Sequence, residues 1–508
     1  MTRIANKAAI DSAWKQISDC PEKTLKQLFE EDSNRLASLV VETASLRFDF
    51  SKNHLDTPKL TAFKKLLESC DFDARRKALF AGEKINITEN RAVEHMAERG
   101  QGAPESVKRA KEYHARMRSL IEAIDSGAFG EVKHLLHIGI GGSALGPKLL
   151  IDALTRESGR YDVAVVSNVD GQALEEVFKK FNPHHTLVAV ASKTFTTAET
   201  MLNAESTMTW MKKHGVEDPQ SRVIALTANP AKASEWGIDD TRILPFADSI
   251  GGRYSLWSSI GFPAALALGW EGFEALLKGG AAMDRHFLEA APEKNAPILA
   301  AFADQYYSAI RGAQTHGIFA YDERLQLLPF YLQQLEMESN GKRVDLDGNL
   351  ITHPSAFITW GGVGTDAQHA VFQLLHQGTR LVPIEFIAAI KPDDTLEPTH
   401  HKTLLTNAFA QGAALMSGRD NKDPARSYPG NRPSTTILMD ELRPAQLGAL
   451  IAFYEHRTFV NGVILGINSF DQFGVELGKE MAHAIADHPE DAEKFDPSTR
   501  ALIATAWK

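Results

Sequence analysis

Four times between residues 134 and 228 the chain makes the same local choice: a short unbroken apolar run, a tip of small or hydroxyl residues, and then a helix-like stretch. The runs are HLLHIGI, VAVVSNV, TLVAVAS and RVIALTA; QALEEVFKKF and TAETMLNAESTMTWMKKH are two of the stretches that follow. A sheet with one wet face alternates apolar and polar residues, whereas a continuously apolar strand is buried on both faces. Such strands alternating with helices predict a parallel sheet covered on either side. The rhythm returns after residue 310 with GIFAY, AFITWGG, LVPIEFIAAI and STTILMD. The expected fold is therefore α/β, two doubly wound αβα units at residues 101–275 and 276–508. Residues 1–100 show little β-branched alternation, and LKQLFEEDSNRLASLVVE sets Leu25, Leu28, Phe29, Leu36, Leu39 and Val40 at roughly helical intervals. This segment is expected to be an N-terminal helical extension packed on the larger body.

With 508 residues, 43% hydrophobic and 24% charged, the chain can build two or three domains with full cores. A net charge of −10 supplies no global basic field for nucleic acid or anionic lipid, so an anionic ligand must be met by locally placed cations. The only cysteines, Cys20 and Cys70, form neither a CxxC nor a metal-ligand spacing. That argues against a disulfide framework and for a reducing compartment. MTRIANKAAIDSAWKQI lacks the apolar core of a signal peptide, and no apolar run approaches the ~20 residues that span a bilayer. A soluble cytoplasmic protein without membrane or nucleic-acid partners is expected.

Ligands of doubly wound sheets sit outside the carboxyl ends of the strands, so the loops after the apolar runs carry the information. HIGIGGSALGP, 137–147, offers Gly139, Gly141 and Ala144 at dinucleotide-loop spacing. A dinucleotide site also needs an acid ~20 residues beyond the glycines, ending the next strand. Here that strand places Asp170 about thirty residues past Gly139, behind Ser167 and Asn168. SKTFTTAET, 192–200, holds Ser192, Lys193, Thr194, Thr196 and Thr197 before a helix. One hydroxyl there is an ordinary cap. Four hydroxyls and a lysine form an anion cradle at a helix N-terminus. With Ser143 in the neighbouring glycine loop, the pair suits a phosphomonoester better than a pyrophosphate.

The second half adds acid/base candidates. GGRYS places Arg253 after two glycines, giving a fixed charge where backbone approaches closely. FYLQQLEMESNGKR carries Gln334 and Glu338 one turn apart, Glu338 being the candidate general base. WGGVGTDAQHAVFQLLHQGTR leads into a helix starting near Gln368 and His369, where the helix dipole acts on an imidazole suited to proton exchange. His376, two turns on, is a packing or interface residue. FDQFGVELGKE is expected to set Gln472 and Lys479 on one helix face.

GIGGSALGP, SKTFTT, GGRYS, QLEMESNGK, the GT-x-x-QHA…F-x-x-LHQGT stretch and QFGVELGK occur in this order from 139 to 479. Together they resemble the glucose-6-phosphate isomerase (phosphoglucose isomerase) family. One departure is visible, Gly362 and Val363 where many members carry Glu-Pro. The resemblance implies paired sugar-isomerase (SIS-type) domains, with phosphate bound in the first. Ser143, Ser192, Lys193, Thr194 and Thr197 would hold that phosphate, and Gln334 and Gln472 would contact the substrate. Glu338 would move a proton between C2 and C1, and Arg253 would stabilise the enediolate. His369 would open the sugar ring with help from Lys479. The resemblance further implies a homodimer with shared sites, His369 coming from the partner, and needs no cofactor or metal. Two other classes compete: a dinucleotide-dependent oxidoreductase, which lacks its ribose acid, and a non-catalytic sugar-phosphate sensor, which would not need Glu338, His369 and Lys479 together.

Overall fold

The computed structural model describes residues 7–156, 159–487 and 494–507. The chain divides into two compact units, Met1–Ser469 and Phe470–Lys508. Among the described residues, eleven strands belong to the first: β1 (Val40–Thr43), β2 (Leu46–Asp49), β3 (His134–Gly139), β4 (Asp162–Val166), β5 (Thr186–Ala191), β6 (Val223–Thr227), β7 (Ile243–Pro245), β8 (Thr315–Tyr321), β9 (Ile358–Val363), β10 (Ile384–Ala389) and β11 (Ser434–Met439). All eight apolar runs are strands, and β7 is one that periodicity did not single out, being three residues long.

One sheet has the order β4-β3-β5-β6-β7 and is parallel throughout. The chain leaves β3 first to one side and then to the other, so the switch point lies between β3 and β5, where ligands of such sheets bind. Every residue of β5 and β6 is buried. Leu136, Ile138, Val188 and Val190 meet Trp210 and Met211 of the covering helix Ala198–Lys213 in one core.

The other sheet has the order β1-β2-β11-β10-β8-β9. Its last four strands are parallel, as expected. The first two are not part of the expected picture: residues 40–49 form an antiparallel hairpin that pairs β2 with β11, Phe48 opposite Ile437. The helical reading of residues 1–100 is corrected here. Helices Leu25–Glu31 and Arg35–Leu39 are separate, and Val40 begins a strand. Buried Arg35 holds this bend, donating to the carbonyls of Ser51 (2.7 Å), Leu55 (2.8 Å) and Asn53. The hairpin turns on Ala44 (φ 49°) and Ser45 (φ 61°), both left-handed, a two-residue turn usually advertised by Asn-Gly.

The boundary expected at 275/276 falls inside the helix Trp270–Glu289, which packs along the buried helix Pro444–Leu465. The crossing is close because of two glycines. A Cβ on Gly279 would lie 1.8 Å from the Ala445 oxygen, and one on Gly448 2.1 Å from the Leu276 oxygen. Pro444–Leu465 thereby runs through the centre of the unit and delivers Glu455, His456 and Arg457 to its interior. No described helix is long and apolar enough to cross a membrane.

The second unit contains a short turn at Phe473–Val475 and the helices Glu476–Asp487 and Pro497–Ala506.

Candidate active site

Two loops meet at the β3/β5 switch point. After β3 the chain makes a tight turn, Gly141–Ser143, and enters the helix Leu145–Leu154. His137, at the heart of β3, donates from Nε2 to the Ser143 carbonyl at 2.7 Å and pins the turn. Burial pushes the His137 pKa down to about 4, so this imidazole is a neutral strut.

After β5 come Ser192–Thr197 and the helix Ala198–Lys213. Phe195 takes a left-handed φ of 57° and buries its ring against Trp236, leaving the hydroxyls on either side of it at the surface of the loop. Ser192 Oγ and Thr197 Oγ1 share a hydrogen bond of 2.9 Å, and Thr196 Oγ1 donates to Thr194 Oγ1 at 2.8 Å. Thr197 occupies the N-cap position, yet its side chain does not cap the helix. The first-turn amides are left to an external acceptor, as an anion cradle requires.

Lys193 has partners within its own chain. Its ammonium donates to the carbonyls of Asp248 (2.6 Å) and Ile250 (3.2 Å) and pairs with the Asp248 carboxylate at 3.1 Å. Desolvation lowers its pKa, and three oxygens already satisfy it. Its place is to lash the cradle to the segment leading into Gly251, leaving its loop backbone beside the cradle. Asp170, weighed above as a ribose partner, caps the helix Gly171–Phe178 by accepting from Gln172 N at 3.1 Å.

The loop Gly251–Ser255 lies against the first loop, backbone on backbone. A Cβ on Gly142 would fall 2.1 Å from the Gly252 carbonyl carbon and 2.5 Å from the Arg253 nitrogen, so only glycine fits. Arg253 itself is 2% exposed. Its Nε donates to Ser339 Oγ (2.6 Å), one terminal nitrogen to the Ser469 carbonyl (2.6 Å), and the other meets Glu338 Oε1 at 3.2 Å. A guanidinium fixed on three sides presents its charge without rearrangement.

Glu338 ends a π-helical turn, Gln333–Glu338, that follows the helix Leu328–Leu332. Such turns are rare and concentrate at functional sites. Gln334 lies over the glycine loop, its Nε2 3.1 Å from where a Cβ on Gly141 would stand. Lys342 donates to the Glu338 carbonyl at 2.9 Å. Ser143, Arg253, Gln334 and Glu338 thus converge from two loops and one turn, with the 192–197 cradle on the strand next to β3. Ser339 and Ser469, which hold the guanidinium, escaped the sequence reading; Ser339 had a signal, being the neighbour of Glu338 in ESNGK.

His369 is in the first turn of the helix Asp366–Gln377, exposed, in a surface groove with Phe372, Gln373, His376 and Tyr428. Among the described residues no hydrogen bond or ion pair joins it to Arg253 or Glu338. In the second unit, Lys479 lies in the helix Glu476–Asp487, but Gln472 precedes it in a non-helical conformation (φ −161°, ψ 75°). The two are not on one helix face, because the helix begins only after the turn around Gly474.

The phosphoglucose isomerase family model matches residues 49–503. The chain is 92% identical over 508 residues, the whole of both proteins, to the glucose-6-phosphate isomerase of Zymomonas mobilis subsp. mobilis. It is 67% identical over 495 residues to that of Rhizorhabdus wittichii, covering 97% of this chain and 99% of the relative. The crystal structure of a glucose-6-phosphate isomerase from Chlamydia trachomatis superposes with a TM-score of 0.87 at 30% identity, over 98% of this chain and 97% of that one.

Proposed function

The chain belongs to the phosphoglucose isomerase family, and we propose that Glu338, Arg253, His369 and Lys479 carry its reaction. It is an aldose–ketose isomerase that reversibly converts glucose 6-phosphate to fructose 6-phosphate, a step of glycolysis and gluconeogenesis. The substrate phosphate docks in the cradle made by Ser192, Thr194, Thr197, the first amides of Ala198–Lys213 and Ser143, with Lys193 holding the loop in shape. Gln334 and Gln472 contact the sugar.

A cyclic hexose must first open, which moves a proton from O1 to the ring oxygen; His369 and Lys479 do this. Glu338 then takes the C2 proton of the open aldose. The resulting cis-enediol(ate) gains negative charge on oxygen, and Arg253 meets that charge. Glu338 returns the proton to C1 while the hydroxyl proton of O2 passes to O1, giving the ketose. A positioned base contributes typically ~10²–10⁴-fold, and a fixed electrostatic partner a comparable factor. The observation that carries this reading is the Arg253–Glu338 pair at 3.2 Å, built onto the backbone of the glycine loop at the switch point.

The exposure of His369, which makes no hydrogen bond or ion pair with Glu338 in its own chain, supports a homodimer in which each His369 serves the partner's site. The test of the base is solvent deuterium exchange into C1 or C2 of the sugar phosphate. Wild type is expected to exchange; Glu338→Gln is expected to lose exchange while still binding a sugar-phosphate analogue. Exchange that survives in Glu338→Gln overturns the assignment.

A further inference from the structure

The turn that carries Glu338 holds a second carboxylate. Glu336 accepts a hydrogen bond from Thr359 Oγ1 of β9 at 2.5 Å and pairs with Arg457. Arg457 is 1% exposed, on the central helix Pro444–Leu465. The same guanidinium pairs with Glu385 of β10 and, at 3.4 Å, with Asp304 at the end of the helix Ala296–Gln305. Tyr454 donates to Glu385 at 2.7 Å, Asn461 to Asp304 at 2.8 Å, and His316 faces Glu385 at 3.7 Å. One arginine therefore ties three carboxylates from three different elements, and only one of those carboxylates sits on the catalytic turn.

A buried ion network of this kind adds little net stability, because desolvation offsets the attraction. Burial pushes the Asp304 and Glu385 carboxyls up and the His316 imidazole down to about 4, the marks of that cost. What such a network does supply is geometry: oxygen–nitrogen contacts with narrow tolerances. Here the tolerance bears on the π-helical turn that carries Glu338. Arg253 and Ser339 hold the turn on the Glu338 side, and Arg457 and Thr359 hold it on the Glu336 side.

We propose that Glu336 and Arg457 are positioning residues for proton transfer, setting the height and rotation at which the Glu338 carboxylate meets Arg253 and the substrate. The proposal rests on Glu338 being the base. It requires no contact between Glu336 or Arg457 and the sugar.

The test compares two variants of the full-length protein that take one charge from the same guanidinium. Glu336→Gln loosens the turn; Glu385→Gln leaves the turn alone. Both are expected to lower the melting temperature. Only Glu336→Gln is expected to lower kcat, by about 10–10²-fold, since displacements near 1 Å in a reacting group cost up to ~10²-fold. Its KM should stay close to wild type, because the phosphate cradle belongs to the other sheet. Thr359→Val, which removes only the hydroxyl donor to Glu336, is the milder probe should Glu336→Gln fold poorly, and should show a smaller kcat loss at unchanged KM. Wild-type kcat in Glu336→Gln or in Thr359→Val overturns the proposal, as does an equal kcat loss in Glu385→Gln. Measured beside them, Glu338→Gln separates the two claims: if it is inactive while Glu336→Gln is normal, only the positioning role falls, and if it remains active the base assignment itself falls.

Discussion

Replacing Gly142 by alanine tests whether the two glycine loops truly set the position of Arg253. A Cβ there would stand 2.1 Å from the Gly252 carbonyl carbon, 2.3 Å from its oxygen and 2.5 Å from the Arg253 nitrogen. All are backbone atoms, which no rotamer change removes. Ordinary contact begins at 3.4 Å, so the loops must separate by about 1.3 Å, a forced overpacking that typically costs about 1–3 kcal/mol. Arg253 starts from one of the displaced atoms, and its guanidinium meets Glu338 at only 3.2 Å. A misplacement of about 1 Å at a reacting centre costs roughly 10²-fold in rate. Gly142→Ala is therefore expected to lose about 10²-fold in kcat together with a lower melting temperature. Gly252→Ala is the control: its Cβ would meet only the Gly142 Cα at 3.8 Å. Neither glycine has a left-handed φ, so contact alone decides the difference. Steady-state kcat and KM with thermal melts on both variants suffice. A near-normal kcat in Gly142→Ala, or equal damage in Gly252→Ala, would show that the loops do not depend on each other in this way.

Two further outcomes are expected. The His137 pKa, depressed to about 4 by burial, returns to its ordinary value on unfolding, so the stability it contributes is complete above pH 6.5 and is lost as pH falls toward 4. Glu455, pushed up to about 7, works in the opposite sense between its ordinary value and 7, which makes the informative quantity a difference. Between about pH 6.5 and 5, His137→Gln should lose less stability than wild type, by up to about 1.4 kcal/mol per pH unit, and parallel profiles would refute the buried neutral imidazole. For the shared site, Glu338→Ala and His369→Ala proteins mixed and re-equilibrated one to one should recover about a quarter of wild-type activity, because half the dimers would each hold one intact site. Recovery of none would exclude sharing.

The sequence by itself determined the eight long strands and the loops that matter. An unbroken apolar run of five to seven residues has few ways to be buried other than as an inner strand of a covered sheet. The residues after each run inherit a place at the carboxyl edge, so GIGGS and SKTFTT could be placed beside a ligand from local chemistry. Glu338 and Arg253 were legible as candidates because each stands in a short motif with its own chemical logic. Tertiary structure alone decided how the pieces meet. The hairpin at residues 40–49 is stabilised by pairing with β11, almost 400 residues away, through a turn whose Ala-Ser carries no turn signal. Lys193 reads as a phosphate ligand in the sequence, and only the fold brings Asp248 to its ammonium. Glu336 reads as one more solvated acid on a helix, and Arg457 as a charge in an apolar segment. Only the packing of the central helix against the π-helical turn makes them a pair. Local pattern fixes what a segment can become, because propensity and burial act over a few residues. Charge partners and side-chain orientation depend on which distant segment arrives, and that is settled only by the packed whole.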